Sequence, residues 1–152
     1  MKEHSKANRY LRVYDQIKQL IEATDNPASR MATINAVLHH KFNYYYWTGF
    51  YELINGKLLV GPYQGPVACL KLKKDTGVCW AGINQKETVV VPNVHDFPGH
   101  IACSSASNSE IVVPVFNGDQ VVAVLDVDSK ELNSFDETDR VGLEKIVNLI
   151  YN

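Results

Sequence analysis

Two Asn-Gly dipeptides, Asn55-Gly56 and Asn117-Gly118, constrain the fold of this chain more than any other feature. Asn-Gly accepts the left-handed backbone of a two-residue hairpin turn, and its signal is strongest between alternating apolar runs. Both flanks comply. Tyr44 to Leu53 is rich in aromatic residues and alternates, and Lys57 to Tyr63 returns as its partner. Glu110 to Phe116 and Gln120 to Asp128 flank the second turn. Shorter strands are expected over Ala68 to Leu72 and Thr88 to Val91. Helical spacing lies mainly at the two ends. Tyr10, Tyr14, Ile17, Leu20 and Ile21 recur at that spacing between Asn8 and Thr24. A second helix is expected to run to about His40, with Asn26 as cap, Pro27 at its first position, and Met31, Ile34 and Val37 on one face. Gly77 to Gln85 reads as a short helix after a glycine. Ser134-Phe135-Asp136 opens a last helix with Val141, Ile146 and Ile150 as its buried side. Helices at the ends and hairpins in the middle argue for an α+β domain, with a central antiparallel sheet and the N- and C-terminal helices packed on one face. The other face is then free to carry a pocket.

A chain of 152 residues with 45% hydrophobic content is expected to form one domain around one core. Its parts are a helical N-terminus over 8–40, a sheet with a long loop over 44–128, and a C-terminal helix over 136–151. The net charge of −2, with no basic stripe, argues against nucleic acid as a partner. The first residues hold no long apolar run, so no secretory signal is expected. No segment approaches the roughly 20 apolar residues of a membrane span. The expected location is cytoplasmic, where thiols stay reduced unless they cycle catalytically.

The chain has three cysteines, an odd number that argues against a purely structural disulfide set. Cys103 sits in PNVHDFPGHIACSSASNSE, a stretch too polar for a core and too long for a simple turn. Long loops without internal structure are often functional. Small polar residues follow Cys103, and their amides could stabilise a thiolate; the alternative is a buried structural thiol. Cys79 falls near the start of the short helix, where the helix dipole lowers a thiol pKa, or else it packs on the helix's inner face. Cys69 lies in an apolar strand and matters only if another cysteine is within disulfide reach. Asp126 and Asp128 stand two apart at a strand end and project from one face. Paired carboxylates are costly to desolvate unless a cation joins them. Glu110 could lie beside them; the alternative is a turn cap into Ser129-Lys130. Trp47, Gly49 and Tyr51 share a face, either as an ordinary core with a bulge at Gly49 or as a cleft for a cation or a sulfur-bearing chain. His95 and His100 bracket the loop, but their spacing is not that of a zinc site, so no metal is expected. His100 reads better as a local base or loop hydrogen-bonder.

YWTGFY, LLVGPYQGPVAC, GVCWAG, VVVPNVHDFPGHIACSSASNSEIVVPV and VLDVDS together resemble the free methionine-(R)-sulfoxide reductases, which are single GAF-domain enzymes. The resemblance spans about residues 44 to 130, and PNVH, FPGHIAC and SASNSEI are its specific part. Trp80 departs from it, standing after Cys79 where the family has glycine. The resemblance implies a single GAF domain, often a homodimer, that needs no cofactor. It implies reduction of free methionine-(R)-sulfoxide, with thioredoxin as reductant. It further implies Cys103 as nucleophile, Cys69 as resolving thiol and Cys79 as an accessory one. Glu110, Asp126 and Asp128 become substrate-binding carboxylates, and Trp47 and Tyr51 the wall at the substrate's methyl end. The alternative is a GAF module that senses a small molecule without catalysis.

Overall fold

The computed structural model describes residues 3–100 and 106–152. Cys103 lies outside the described residues. The chain runs α1 (Glu3–Ile21), α2 (Pro27–Lys41), β1 (Trp47–Ile54), β2 (Lys57–Gln64), β3 (Lys71–Leu72), α3 (Gly77–Gln85), β4 (Val89–Val91), a single 3₁₀ turn (Val94–Asp96), β5 (Ser109–Asn117), β6 (Gln120–Ser129) and α4 (Glu137–Val147). The six strands form one antiparallel sheet in the order β3-β2-β1-β6-β5-β4.

Local chemistry fixes most boundaries. The Asn26 side chain accepts from the Ser29 amide at 2.9 Å, and Pro27 opens α2. Asp136 caps α4 in a reciprocal box with Asp139. Asn55 and Gly56 both take positive φ, as the tight turn between β1 and β2 requires. At the second hairpin Asn117 pairs with Gln120, so the turn residues are Gly118 and Asp119. One residue further in, the register slips. Val115 pairs with Ala123, but Phe116 pairs with Val121, leaving Val122 as an extra residue in β6.

The sheet divides two cores. On one face α1, α2 and α4 bury Ile17, Ile34, Leu38 and Ile146 against Phe50, Ile111, Leu125 and Val127. Each such aliphatic side chain contributes about 1.5–3 kcal/mol by leaving water. On the other face α3 covers only part of the sheet, packing with Trp47, Tyr51, Leu58, Val112 and Val124. The pocket lies on this second face.

Three expectations need correction. The third strand is only Lys71–Leu72, so Cys69 lies in the loop before it and not in a strand. Val141 is exposed; the buried side of α4 is Asp139, Leu143, Ile146 and Val147, with Ile150 buried beyond its end. Val141 sits about 200° around the helix from Leu143, on the solvent side. Leu20 likewise faces solvent, and Val13 takes its place in the core. No helix of the described residues is long and apolar enough to cross a membrane.

Candidate active site

Strand register assembles the polar half of the pocket. Glu110 of β5 pairs with Asp128 of β6, which pairs on its other side with Trp47 of β1. On the same face, one rung along, Val112, Asp126 and Gly49 are opposite one another. Glu110 is therefore in side-chain hydrogen-bonding contact with both Asp126 and Asp128. The strand continues through Ser129, so neither aspartate caps a turn. Glu110 and Asp126 are buried, and Asp126 Oδ1 has no partner among the described residues.

The thiol of Cys79 comes from above. Gly82 lets α3 lie on the sheet: a Cβ there would stand 2.8 Å from Val112 Cγ1. Three residues earlier on the same helix, buried Cys79 hydrogen-bonds to Asp126. One atom each of Cys79, Glu110 and Asp126 falls within a mutual 4.8 Å. One sulfur and two carboxylate oxygens form a donor set that zinc would accept. His95 is not part of this set; its Nε2 meets Asn108 Oδ1 at 3.0 Å.

Electrostatics make this a proton-holding cluster. Burial pushes the Glu110 carboxyl well up, and the neighbouring charges of Asp126 and Asp128 push it further. Asp128 is raised well by burial and then by Asp126. Asp126 is raised by burial, against hydrogen bonds from Glu110 and Cys79 that lower it. Burial also raises the Cys79 thiol well above its ordinary range, with the Asp126 and Glu110 charges adding to it. The helix dipole does not win there: Cys79 is a neutral thiol that donates to Asp126. His100 lines the pocket and is lowered by burial and then by His95. Among the described residues the ion pairs lie elsewhere, at Lys6 and Arg140. Lys73 lines the same pocket, but no ion pair among the described residues reaches the carboxyls.

Aromatic residues form the other half. The space left by Gly49 is filled by the Trp47 ring, since a Cβ there would meet Trp47 Cη2 at 2.5 Å and Tyr63 Cβ at 2.3 Å. Trp47 stacks between Tyr51 and Tyr63, with centroids 5.8 and 5.2 Å away. Their polar ends reach the loop after β2. Trp47 Nε1 donates to the Pro66 carbonyl at 3.0 Å, and the Tyr51 hydroxyl donates to the Cys69 carbonyl at 3.2 Å. Cys69 is disulfide-bonded, while Cys79 is a free thiol. Trp47, Tyr51, Cys79, Glu110, Asp126 and Asp128 thus surround one cavity of about 70 Å³.

The GAF domain profile matches residues 41–151. The chain is 38% identical to the free methionine-R-sulfoxide reductase of Escherichia coli, over 77% of this chain and 71% of that one. It belongs to the GAF-domain family of these reductases. The GAF domain-containing protein A of Dictyostelium discoideum is 43% identical, over 97% of this chain and 94% of that one. The free methionine-R-sulfoxide reductase of Neisseria meningitidis, solved in complex with its substrate, superposes with a TM-score of 0.92 at 38% identity, covering 96% of this chain and 88% of that one.

Against the family pattern, Trp80 leaves α3 a regular helix. The ring is buried, and its Nε1 donates to the Leu72 carbonyl at 3.4 Å. Other residues of this GAF pocket escaped sequence reasoning. Thr76, Gly77 and Val78 line it at the start of α3, where Thr76 makes no side-chain cap hydrogen bond. Ser107 also lines it. The glycine that opens the helix was a signal for α3 itself, but nothing local told which way its first turn would face.

Proposed function

We propose that this protein reduces free L-methionine-(R)-sulfoxide to methionine. The observation that carries this reading is the carboxyl triad, Glu110, Asp126 and Asp128, which forms no ion pair with a lysine or arginine among the described residues. A ligand ammonium supplies the missing cation, and charge-assisted hydrogen bonds to carboxylates are strong ones. A peptide-bound residue lacks that ammonium, so the triad selects the free amino acid. The first amides of α3 suit the substrate carboxylate, because a helix N-terminus attracts anions. Trp47 and Tyr51 suit the sulfur-bearing end.

In this reading the Cys103 thiolate attacks the sulfoxide sulfur, and a protonated carboxyl of the triad gives a proton to the oxygen. The thioether leaves, and Cys103 becomes a sulfenic acid. Cys69 condenses with it, releasing water and forming a disulfide. Thioredoxin returns two electrons by thiol–disulfide exchange. Two observations support these roles: Cys69 is half of a disulfide, and Cys79 is a buried neutral thiol unsuited to attack. Cys79 then serves as an accessory that donates to Asp126. The same reading has the protein working in the cytoplasm as a homodimer.

The test is turnover of free methionine-(R)-sulfoxide with thioredoxin, thioredoxin reductase and NADPH. Purified, folded protein is expected to consume the R-sulfoxide and to lose all activity on Cys103→Ser. Tight binding without thiol oxidation would instead support a sensing GAF module.

A further inference from the structure

The loop between β2 and β3 inverts the usual arrangement of a surface loop. Three of its backbone carbonyls turn inward and are satisfied. The Pro66 carbonyl accepts from Trp47, the Cys69 carbonyl from Tyr51, and the Leu70 carbonyl from the Val60 amide at 2.9 Å. Ala68 packs against the core on that face, but two larger apolar side chains are left in solvent. Val67 is 84% exposed and Leu70 is 77% exposed, more than any other large hydrophobic among the described residues. Between them stands Cys69, half-buried and disulfide-bonded. Two exposed apolar side chains flanking a disulfide on a pinned loop are a surface suited to contact.

We propose that Val67 and Leu70 form the docking surface for the external dithiol protein that reopens the Cys69 disulfide. This rests on the reductase reading above and deepens it. The occupant follows from the chemistry. A thiolate of the partner must approach Cys69 Sγ in line with the S–S bond, so the partner's surface must cover the residues on either side. A neutral, apolar rim around the attacking cysteine of the partner fits this patch; buried Cys79 offers no such access. The partner thiolate bonds to Cys69 Sγ, and the S–S bond breaks. Its electron pair goes to the departing sulfur, which takes a proton. The partner's second thiolate then attacks the mixed disulfide and releases Cys69. The partner ends as a disulfide, and this protein ends with two thiols.

Leu70 is the residue to change, because its side chain does not line the pocket. Steady-state kinetics of Leu70→Asp and Leu70→Gln would be measured with thioredoxin and, separately, with dithiothreitol. The expected result is a KM for thioredoxin raised about tenfold or more in Leu70→Asp, as for loss of a central apolar anchor. Turnover with dithiothreitol and the KM for sulfoxide should stay at wild-type values. An unchanged KM for thioredoxin overturns the proposal. So does loss of dithiothreitol-driven turnover in both variants, which would assign Leu70 to the pocket. So does conversion of a wild-type dimer to monomers by Leu70→Asp in sedimentation, which would give the patch to a second copy. A wild-type protein inactive with both reductants would instead overturn the reductase reading itself, and the docking surface with it.

Discussion

At the residue scale, the proposed reaction asks two opposed things of the three carboxyls. Some must be ionised to hold an ammonium, and one must keep a proton for the sulfoxide oxygen. Like charges packed together and desolvated push their pKa values apart, which allows both at one pH. Burial raises Glu110, and both neighbouring charges and both hydrogen bonds raise it further, so it is the natural holder of the proton. The expected pH profile of kcat/KM is a bell. It rises as the aspartates ionise and falls as Glu110 does. Glu110→Gln should lower kcat at least about tenfold, as for loss of a general acid, and remove the descending limb. Asp126→Asn should act mainly on KM, because the ammonium loses a charge partner. Cys79→Ser should retain turnover within a few-fold, since a hydroxyl also donates to Asp126.

The same residues cost stability. Their folded pKa values lie above the unfolded ones, so the stability they contribute is full below the unfolded value of about 4. It is lost as pH rises through the folded values. Asp128→Asn removes part of that loss, and it should raise Tm by roughly 2–4 °C at neutral pH for each 1 kcal/mol relieved. Substrate should raise Tm in the wild type and less so in this variant, which differential scanning fluorimetry would read.

At the scale of elements, α3 depends on a missing side chain. Gly82→Ala would set a methyl group against Val112 and lift the helix that carries Cys79. The expected cost is about 1–3 kcal/mol, as for overpacking, with a raised KM for sulfoxide. Denaturant titration and kinetics on one preparation check both. On the far side of the sheet, buried Asp139 joins α4 to α1. It accepts from Lys6 at 2.7 Å and from the Tyr10 and Tyr44 hydroxyls at 2.6 Å each. Tyr10→Phe removes one of these donors, and it should destabilise by about 1–3 kcal/mol without changing KM, because the cluster is separated from the pocket by the sheet.

At the scale of the whole molecule, what was legible in the sequence was what is local. Asn26-Pro27, Asn55-Gly56 and the alternation of β1, β5 and β6 each act within a few residues, and the fold follows from them. The alternation also put Asp126 and Asp128 on one face. Contacts between distant segments were not legible. Nothing near Tyr51 tells that its hydroxyl holds the carbonyl of Cys69, and apolar composition alone made a strand of a loop. Cys79 stayed open for the same reason: helix position allowed a lowered thiol or a packed one, and the carboxyls that decide it arrive from strands some thirty to fifty residues on. The motif resemblance supplied the family, which periodicity could not. A single-turnover experiment on the intact chain should show two thiols lost per sulfoxide reduced, read by mass spectrometry.

Val122 sits near the tip of a hairpin, yet it decides the parity of everything beyond it. With the turn pairing of Asn117 and Gln120 carried on unbroken, Glu110 would fall opposite Val127, and its carboxyl would point into the helical layer. One inserted residue returns it to the side where the aspartates wait. A lineage of such proteins can therefore lengthen the tip at Gly118 freely. It cannot lose a single residue between that tip and Asp126 without turning Glu110 away from the pocket.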